Sequence, residues 1–211
     1  MSHRRVMHVI DDEVDVCEAL KVLLHTAGLE ARTYSSAEEF LSEVLIAKPM
    51  CLLVDVRLPG MSGIDLVQHL QERPVRPVVV MMTGHGDIPM AVKAMRMGAL
   101  HFLEKPFDPV ELLQTLEEAL QRVSELVDEE AAASAVEARF RLLTRREQEV
   151  MGLLAEGLPT KLLASRLGIS TRTAEHHRAA VLKKMEARTV SHLVRMSMGL
   201  RTNAGFPPTR S

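Results

Sequence analysis

Five short apolar runs, at residues 6–10, 29–34, 51–54, 78–82 and 99–103, alternate with five stretches of helical spacing at 14–27, 36–47, 62–72, 88–97 and 109–127. Runs rich in Val, Leu, Ile and Met that lack polar alternation read as strands buried on both faces. Strict alternation of such strands with helices predicts a doubly wound α/β fold with a parallel five-stranded sheet. A sheet of this kind places its site at the carboxyl ends of its strands. After Arg139 the strand signals stop, and residues 144–156, 160–167, 170–185 and 191–201 predict four short helices forming a small all-α domain of helix-turn-helix type.

Charge divides the chain at the same place. The net charge is only −2, yet residues 1–137 hold 12 Lys and Arg against 23 Asp and Glu, a balance of −11, and residues 138–211 hold 14 against 5, a balance of +9. An acidic first half suits cation binding or regulation, and a basic second half suits a polyanion, although a solvated helical surface would look the same by composition. No apolar run approaches the ~20 residues of a membrane span, so a cytoplasmic protein with no membrane partner is expected. Cys17 and Cys51 lie in apolar surroundings without metal-ligand spacing and read as reduced packing residues.

The parallel sheet gives the polar strand ends a common address. Asp11 and Asp12 close the first run, Asp55 the third and Thr83 the fourth, and Lys105 follows the fifth. Each alone could be a turn, a cap or a solvated charge. Together they put three carboxylates, a hydroxyl and an ammonium around one crevice. Clustered carboxylates repel unless a cation lies between them, and an all-oxygen set suits Mg2+. Asp55 is then the candidate nucleophile toward a phosphoryl group, with Asp11 and Asp12 as metal holders and Thr83 and Lys105 facing the transferred oxygens. The Lys105–Pro106 bond is a candidate cis peptide. Arg57 and His85 sit two residues beyond Asp55 and Thr83, either covering the phosphoryl group or solvated in loops.

IDD at the first strand end, LVDVRLPGMSG around Asp55, MTGHGD at the fourth strand and FLEKPF at the fifth resemble the receiver domain of two-component response regulators, over residues 4 to about 125. The resemblance implies that Asp55 takes phosphate from a phosphohistidine on a sensor histidine kinase. It implies that Asp12, Asp55 and the backbone carbonyl of Arg57 ligate Mg2+, with Asp11 acting through water. Thr83 and Phe102 match the family's switch pair.

In the basic half, residues 160–167 would form the support helix, 168–170 the turn and 171–185 the reader helix of a major-groove module. Ala174, Val181 and Met185 share one stripe of the reader, while Arg172, His176, Ala179 and Lys183 point the other way. The run LTRREQEVMGLLAEGLPTKLLASRLGISTRTAEHHRAAVLKKM resembles the LuxR-type output domain, and the whole chain is similar to FixJ-type regulators. By that resemblance base contact falls on Glu175, His176 and Ala179. Phosphate contact falls on Thr160, Lys161, Arg172, Arg178, Lys183 and Lys184. His177 could pack or touch DNA. Thr160 stands where the family usually has Asn, and Glu175 where Lys is common.

The expected organisation is a receiver at 1–125, a helical linker at 126–140, a LuxR-type DNA-binding domain at 141–202 and a flexible tail at 203–211. The expected function is phosphorylation-controlled transcription regulation, with double-stranded DNA, RNA polymerase and, on phosphorylation, a second copy of the chain as partners. Such a protein is no enzyme beyond its own aspartyl phosphorylation and dephosphorylation. A phosphohydrolase of the haloacid-dehalogenase type would carry a second Asp two residues past the nucleophile, where this chain has Arg57. An RNA-binding antiterminator would want stacking aromatics, and Tyr34 is the one Tyr in a chain without Trp. A regulator that works without phosphate would have no use for the acidic crevice.

Overall fold

Strands β3 (Cys51–Asp55) and β4 (Val78–Thr83) are buried at every residue, because helices cover both faces of the sheet they centre. The computed structural model describes residues 5–84 and 88–203. Beside β3 and β4 lie β1 (Val6–Ile10), β2 (Glu30–Tyr34) and β5 (His101–Glu104), all parallel, in the order β2-β1-β3-β4-β5. The intervening helices are α1 (Val14–Thr26), α2 (Ala37–Glu43), α3 (Gly63–Gln71), α4 (Ile88–Arg96) and α5 (Pro109–Arg141). The fold is the doubly wound α/β sheet that the alternation predicts.

Two-residue alternation along the strands sorts the side chains into two cores. Leu52, Val54 and Met81 face α2, α3 and α4, packing on Phe40, Leu66, Leu70 and Ala94. Leu53, Val80 and Met82 face α1 and α5, packing on Leu20, Leu24, Leu112 and Leu116. The strand register is level at the carboxyl end: Ile10 pairs with Tyr34 and Val54, Asp55 with Met82, and Thr83 with Glu104.

Boundaries depart from the sequence reading in two instructive places. Helix α2 ends at Glu43 instead of continuing to residue 47, because Ile46 is buried while Leu45 beside it is 85% exposed. Burial of every second residue requires extended backbone, and Val44 adopts it. Strand β5 starts at His101, since Ala99 still bonds back to Ala94 of α4.

The chain divides into two compact units, Met1–Asp128 and Glu129–Ser211. Helix α5 runs to Arg141, so residues 126–140 lie within it. The second unit adds α6 (Arg145–Ala155), α7 (Thr160–Leu167), α8 (Thr171–Lys184) and α9 (Val190–Asn203) around Val150, Leu154, Leu163, Ala174, Val181, Met185 and Leu193. Thr144 and Glu147 form a reciprocal capping box at the start of α6, and the Ser170 hydroxyl caps α8. Gly168, at φ 66, supplies the left-handed residue that ends α7 and turns the chain into α8. Residues 204–211 of the expected tail lie outside the described residues. Among the described residues no helix is long and apolar enough to cross a membrane.

Candidate functional site

Level strand ends bring the polar residues of β1, β3 and β4 and the residue after β5 to one edge of the sheet. Asp11 follows β1 directly and is 1% exposed; its amide N–H donates to the Tyr34 carbonyl at 3.0 Å. Asp55 is the last residue of β3 and is also buried. Lys105 comes off β5, with its amide N–H on the Thr83 carbonyl at 2.7 Å and a cis peptide to Pro106. Its ammonium donates to Asp11 Oδ2 at 2.7 Å, to Glu13 Oε1 at 3.1 Å and to Asp55 Oδ2. Thr83 is fully buried at the end of β4, the strand between those of Asp55 and Lys105.

The second oxygen of each buried aspartate is held by backbone. Asp11 Oδ1 accepts the Glu13 N–H at 3.0 Å, and Asp55 Oδ1 accepts the Arg57 N–H at 2.7 Å. The loop after β3 folds tightly over Asp55, with the Gly63 N–H on the Val56 carbonyl at 3.0 Å. Glu38 of α2 steadies the same loop by accepting the Met61 N–H at 2.8 Å.

Burial pushes the Asp11 carboxyl up, with Lys105 opposing. Burial works against the Lys105 ammonium as well, but the Asp11 and Asp55 carboxylates outweigh it and lift Lys105 above the ordinary lysine value. The site therefore holds a firmly protonated cation against buried carboxylates. Asp11, Glu13 and Asp55 each present an oxygen within 4.8 Å of the others. Hard oxygen donors at that separation fit a divalent cation such as Mg2+.

In the second unit, Lys161, Arg172, Glu175, His176, Ala179, Lys183 and Lys184 are exposed, and Thr160, His177 and Arg178 are half-buried. Ala174, Val181 and Met185 are fully buried and share a core with Leu163 and Ala164 of α7. Arg146 of α6 donates to the Leu167 carbonyl at 2.6 Å, bracing the last turn of α7. The His177 ring lies 6.2 Å from that of His176, and Arg178 Nε is enclosed without a hydrogen-bond partner among the described residues.

Residues 7–117 match the response regulator receiver domain, and residues 141–197 match the bacterial regulatory proteins of the luxR family. The transcriptional regulatory protein FixJ of Azorhizobium caulinodans is 43% identical over 192 residues, covering 91% of each chain. The C4-dicarboxylate transport transcriptional regulatory protein DctR of Rhodobacter capsulatus is 41% identical over 193 residues, covering 90% of this chain and 98% of that one. This chain belongs to the two-component response regulators with a receiver and a LuxR-type DNA-binding domain. The solved structure of the response regulator StyR is similar over 93% of this chain and 99% of its own, at 38% identity and a TM-score of 0.78. Full-length FixJ from B. japonicum is similar over 95% of this chain and 99% of its own, at 38% identity and a TM-score of 0.56.

Within the regulator's receiver, Asp11, Asp55, Thr83 and Lys105 converge on the sheet edge where the sequence puts them. Asp12 is exposed and lies outside the close carboxylate group, which joins Asp11 and Asp55 to Glu13, itself exposed. Glu13 was legible only as the third acid of the run Asp11-Asp12-Glu13, with nothing to separate it from a helix-capping charge. Arg57 meets Asp55 through its backbone N–H, its side chain being exposed. Phe102 is partly buried against the core under α4. His85 lies outside the described residues.

Proposed function

We propose that Asp55 is the phosphoacceptor of this response regulator. A carboxylate oxygen of Asp55 attacks the phosphorus of a phosphohistidine on a sensor histidine kinase; the P–N bond breaks, its electron pair returns to the imidazole nitrogen, and an acyl phosphate forms. The observation that carries this reading is the buried Asp55 carboxylate at the centre of the sheet edge, paired to Lys105 and beside Asp11. Lys105 neutralises oxygens of the incoming phosphoryl group, and the Thr83 hydroxyl hydrogen-bonds one of them. Asp11, Asp12, Asp55 and the Arg57 carbonyl are the proposed Mg2+ holders, and Glu13 joins them on the geometry above. When bound, Mg2+ supplies charge neutralisation of the phosphoryl oxygens.

Thr83 then moves toward the phosphoryl group and Phe102 turns inward, reshaping the α4–β5 surface so that two receivers pair. A dimer brings two reader helices to two half-sites on double-stranded DNA. Glu175, His176 and Ala179 meet base edges, and Thr160, Lys161, Arg172, Arg178 and Lys183 meet phosphates, as Lys184 does in the resemblance. The regulator works in the cytoplasm, acts on transcription through RNA polymerase, and performs no chemistry beyond its own phosphorylation and dephosphorylation. Its functional parts are a receiver at 1–125, a linker at 126–140 and an output domain at 141–202.

Labelling with radioactive acetyl phosphate tests the site. Wild-type chain with Mg2+ is expected to take up label; chelation of the metal or Asp55→Asn is expected to abolish uptake. Undiminished label on Asp55→Asn overturns the assignment.

A further inference from the structure

We propose that Lys184 is a positioning residue of the reader helix, held in place by Glu147, and not a contact to DNA phosphate. The inference rests on the DNA-binding reading above and changes one of its assignments. Lys184 ends α8, and its ammonium donates to Glu147 Oε2 at 2.7 Å. The same oxygen accepts the Thr144 N–H at 2.7 Å, while the Glu147 N–H donates to Thr144 Oγ1 at 3.3 Å. One carboxylate thus closes the start of α6 and fastens the end of α8.

Burial decides which way Lys184 is committed. Glu147 is 6% exposed, and a carboxylate taken out of water needs its cation. Drawing Lys184 away to a phosphate would leave that charge uncompensated inside the domain. The Lys184 ammonium holds the Glu147 carboxyl below the usual carboxylate range, against the opposing effect of burial. Lys183 is in a different position. Successive residues on a helix point about 100° apart, and Lys183 is exposed with no carboxylate at ion-pair distance among the described residues. Just past the helix, Glu186 adopts φ 53 and accepts from Arg139 Nη2 at 2.6 Å, a second tie on the same end of α8.

The two roles differ in salt dependence and in sign. A residue that neutralises a phosphate releases counterions, so its loss flattens the slope of log K against log salt by about 0.9; a positioning residue weakens binding without changing the slope. The test uses the full-length chain with beryllofluoride and Mg2+, on the duplex that the wild-type chain enriches from a random-sequence library. Lys183→Gln, which removes one contact from each of the two reader helices of the dimer, is expected to flatten the slope by about two phosphates' worth, about 1.8. Lys184→Gln and Glu147→Gln are each expected to weaken binding several-fold at unchanged slope, the double variant losing no more than either single one, and Lys184→Arg is expected to restore binding. A flattened slope for Lys184→Gln overturns the proposal. So does Glu147→Gln binding as tightly as wild type or tighter, because that change would have freed a cation for the DNA. Should Lys184→Gln fail to fold, the sign of the Glu147→Gln effect decides alone. Wild-type chain that binds no duplex overturns the DNA-binding reading and this inference with it.

Discussion

His8 Nδ1 lies 3.0 Å from the phenol oxygen of Tyr34, joining β1 to β2 beneath the ring of Phe40. Burial holds the imidazole below its ordinary pKa of 6.5, and the Arg32 charge adds to the effect. Folding therefore favours neutral His8. The stability linked to this group is fully present above the unfolded value and is lost as pH falls through the lowered one. Denaturant unfolding of the first unit between about pH 8 and 5 is expected to weaken more steeply in wild type than in His8→Gln. Equal pH dependence in the two would remove His8 from the account.

Gly63 makes the opposite kind of demand, for empty space. A Cβ there would lie 2.0 Å from the Asp55 carbonyl oxygen, which no rotamer change relieves. Gly63→Ala is expected to cost about 3 kcal/mol, the upper end of overpacking penalties, and to slow phosphorylation by displacing Asp55. Gly199, on α9, has no atom of the described residues outside its own helix backbone within 4 Å of such a carbon. Gly199→Ala is expected to stabilise by about 0.5–1 kcal/mol through helix propensity. Thermal unfolding of the two variants should move in opposite directions.

Glu147 contributes to the acid sensitivity of the second unit. Its folded pKa is depressed, chiefly by Lys184, so the stability it adds is present above the ordinary value of 4.5 and is lost as pH falls through the depressed one. Thr144→Ala removes the hydroxyl half of the capping box and is expected to cost about 1 kcal/mol. Hydrogen exchange at the amides of α6, compared at neutral and acid pH, reads both effects.

Arg57 serves Asp55 through its main chain, so Arg57→Ala leaves the hydrogen bond to Asp55 Oδ1 in place. Phosphorylation is expected to proceed at a near wild-type rate while the lifetime of the acyl phosphate changes, the outcome expected of a side chain that covers the phosphoryl group and screens it from water. An unchanged decay rate would show that the guanidinium points elsewhere.

How far the sequence could be read depended on how local the deciding interaction is. Asp11, Asp55, Thr83 and Lys105 were legible because a parallel sheet converts "end of an apolar run" into a shared location. Asp12 and Glu13 are neighbours in the chain, and periodicity cannot say which of them turns toward Lys105 once the strand has ended. Lys184 looked like one more cation on a basic helix because its partner, Glu147, lies 37 residues away. The early end of α2 was hidden for a related reason: Val44, Leu45 and Ile46 suit a helix by composition, and only the buried place waiting for Ile46 draws them into extended form.

The strand order separates two mechanical requirements. Asp55 ends β3, which is clamped by hydrogen bonds from β1 on one side and β4 on the other. Phe102 lies on β5, a four-residue border strand with one neighbour. The proposed phosphoacceptor is thus mounted where the backbone yields least, and the aromatic ring where shifting a strand disturbs a single ladder. Amide exchange along β5 should accordingly speed up or slow down on phosphorylation by far more than exchange along β3, whose amides would report the reaction hardly at all.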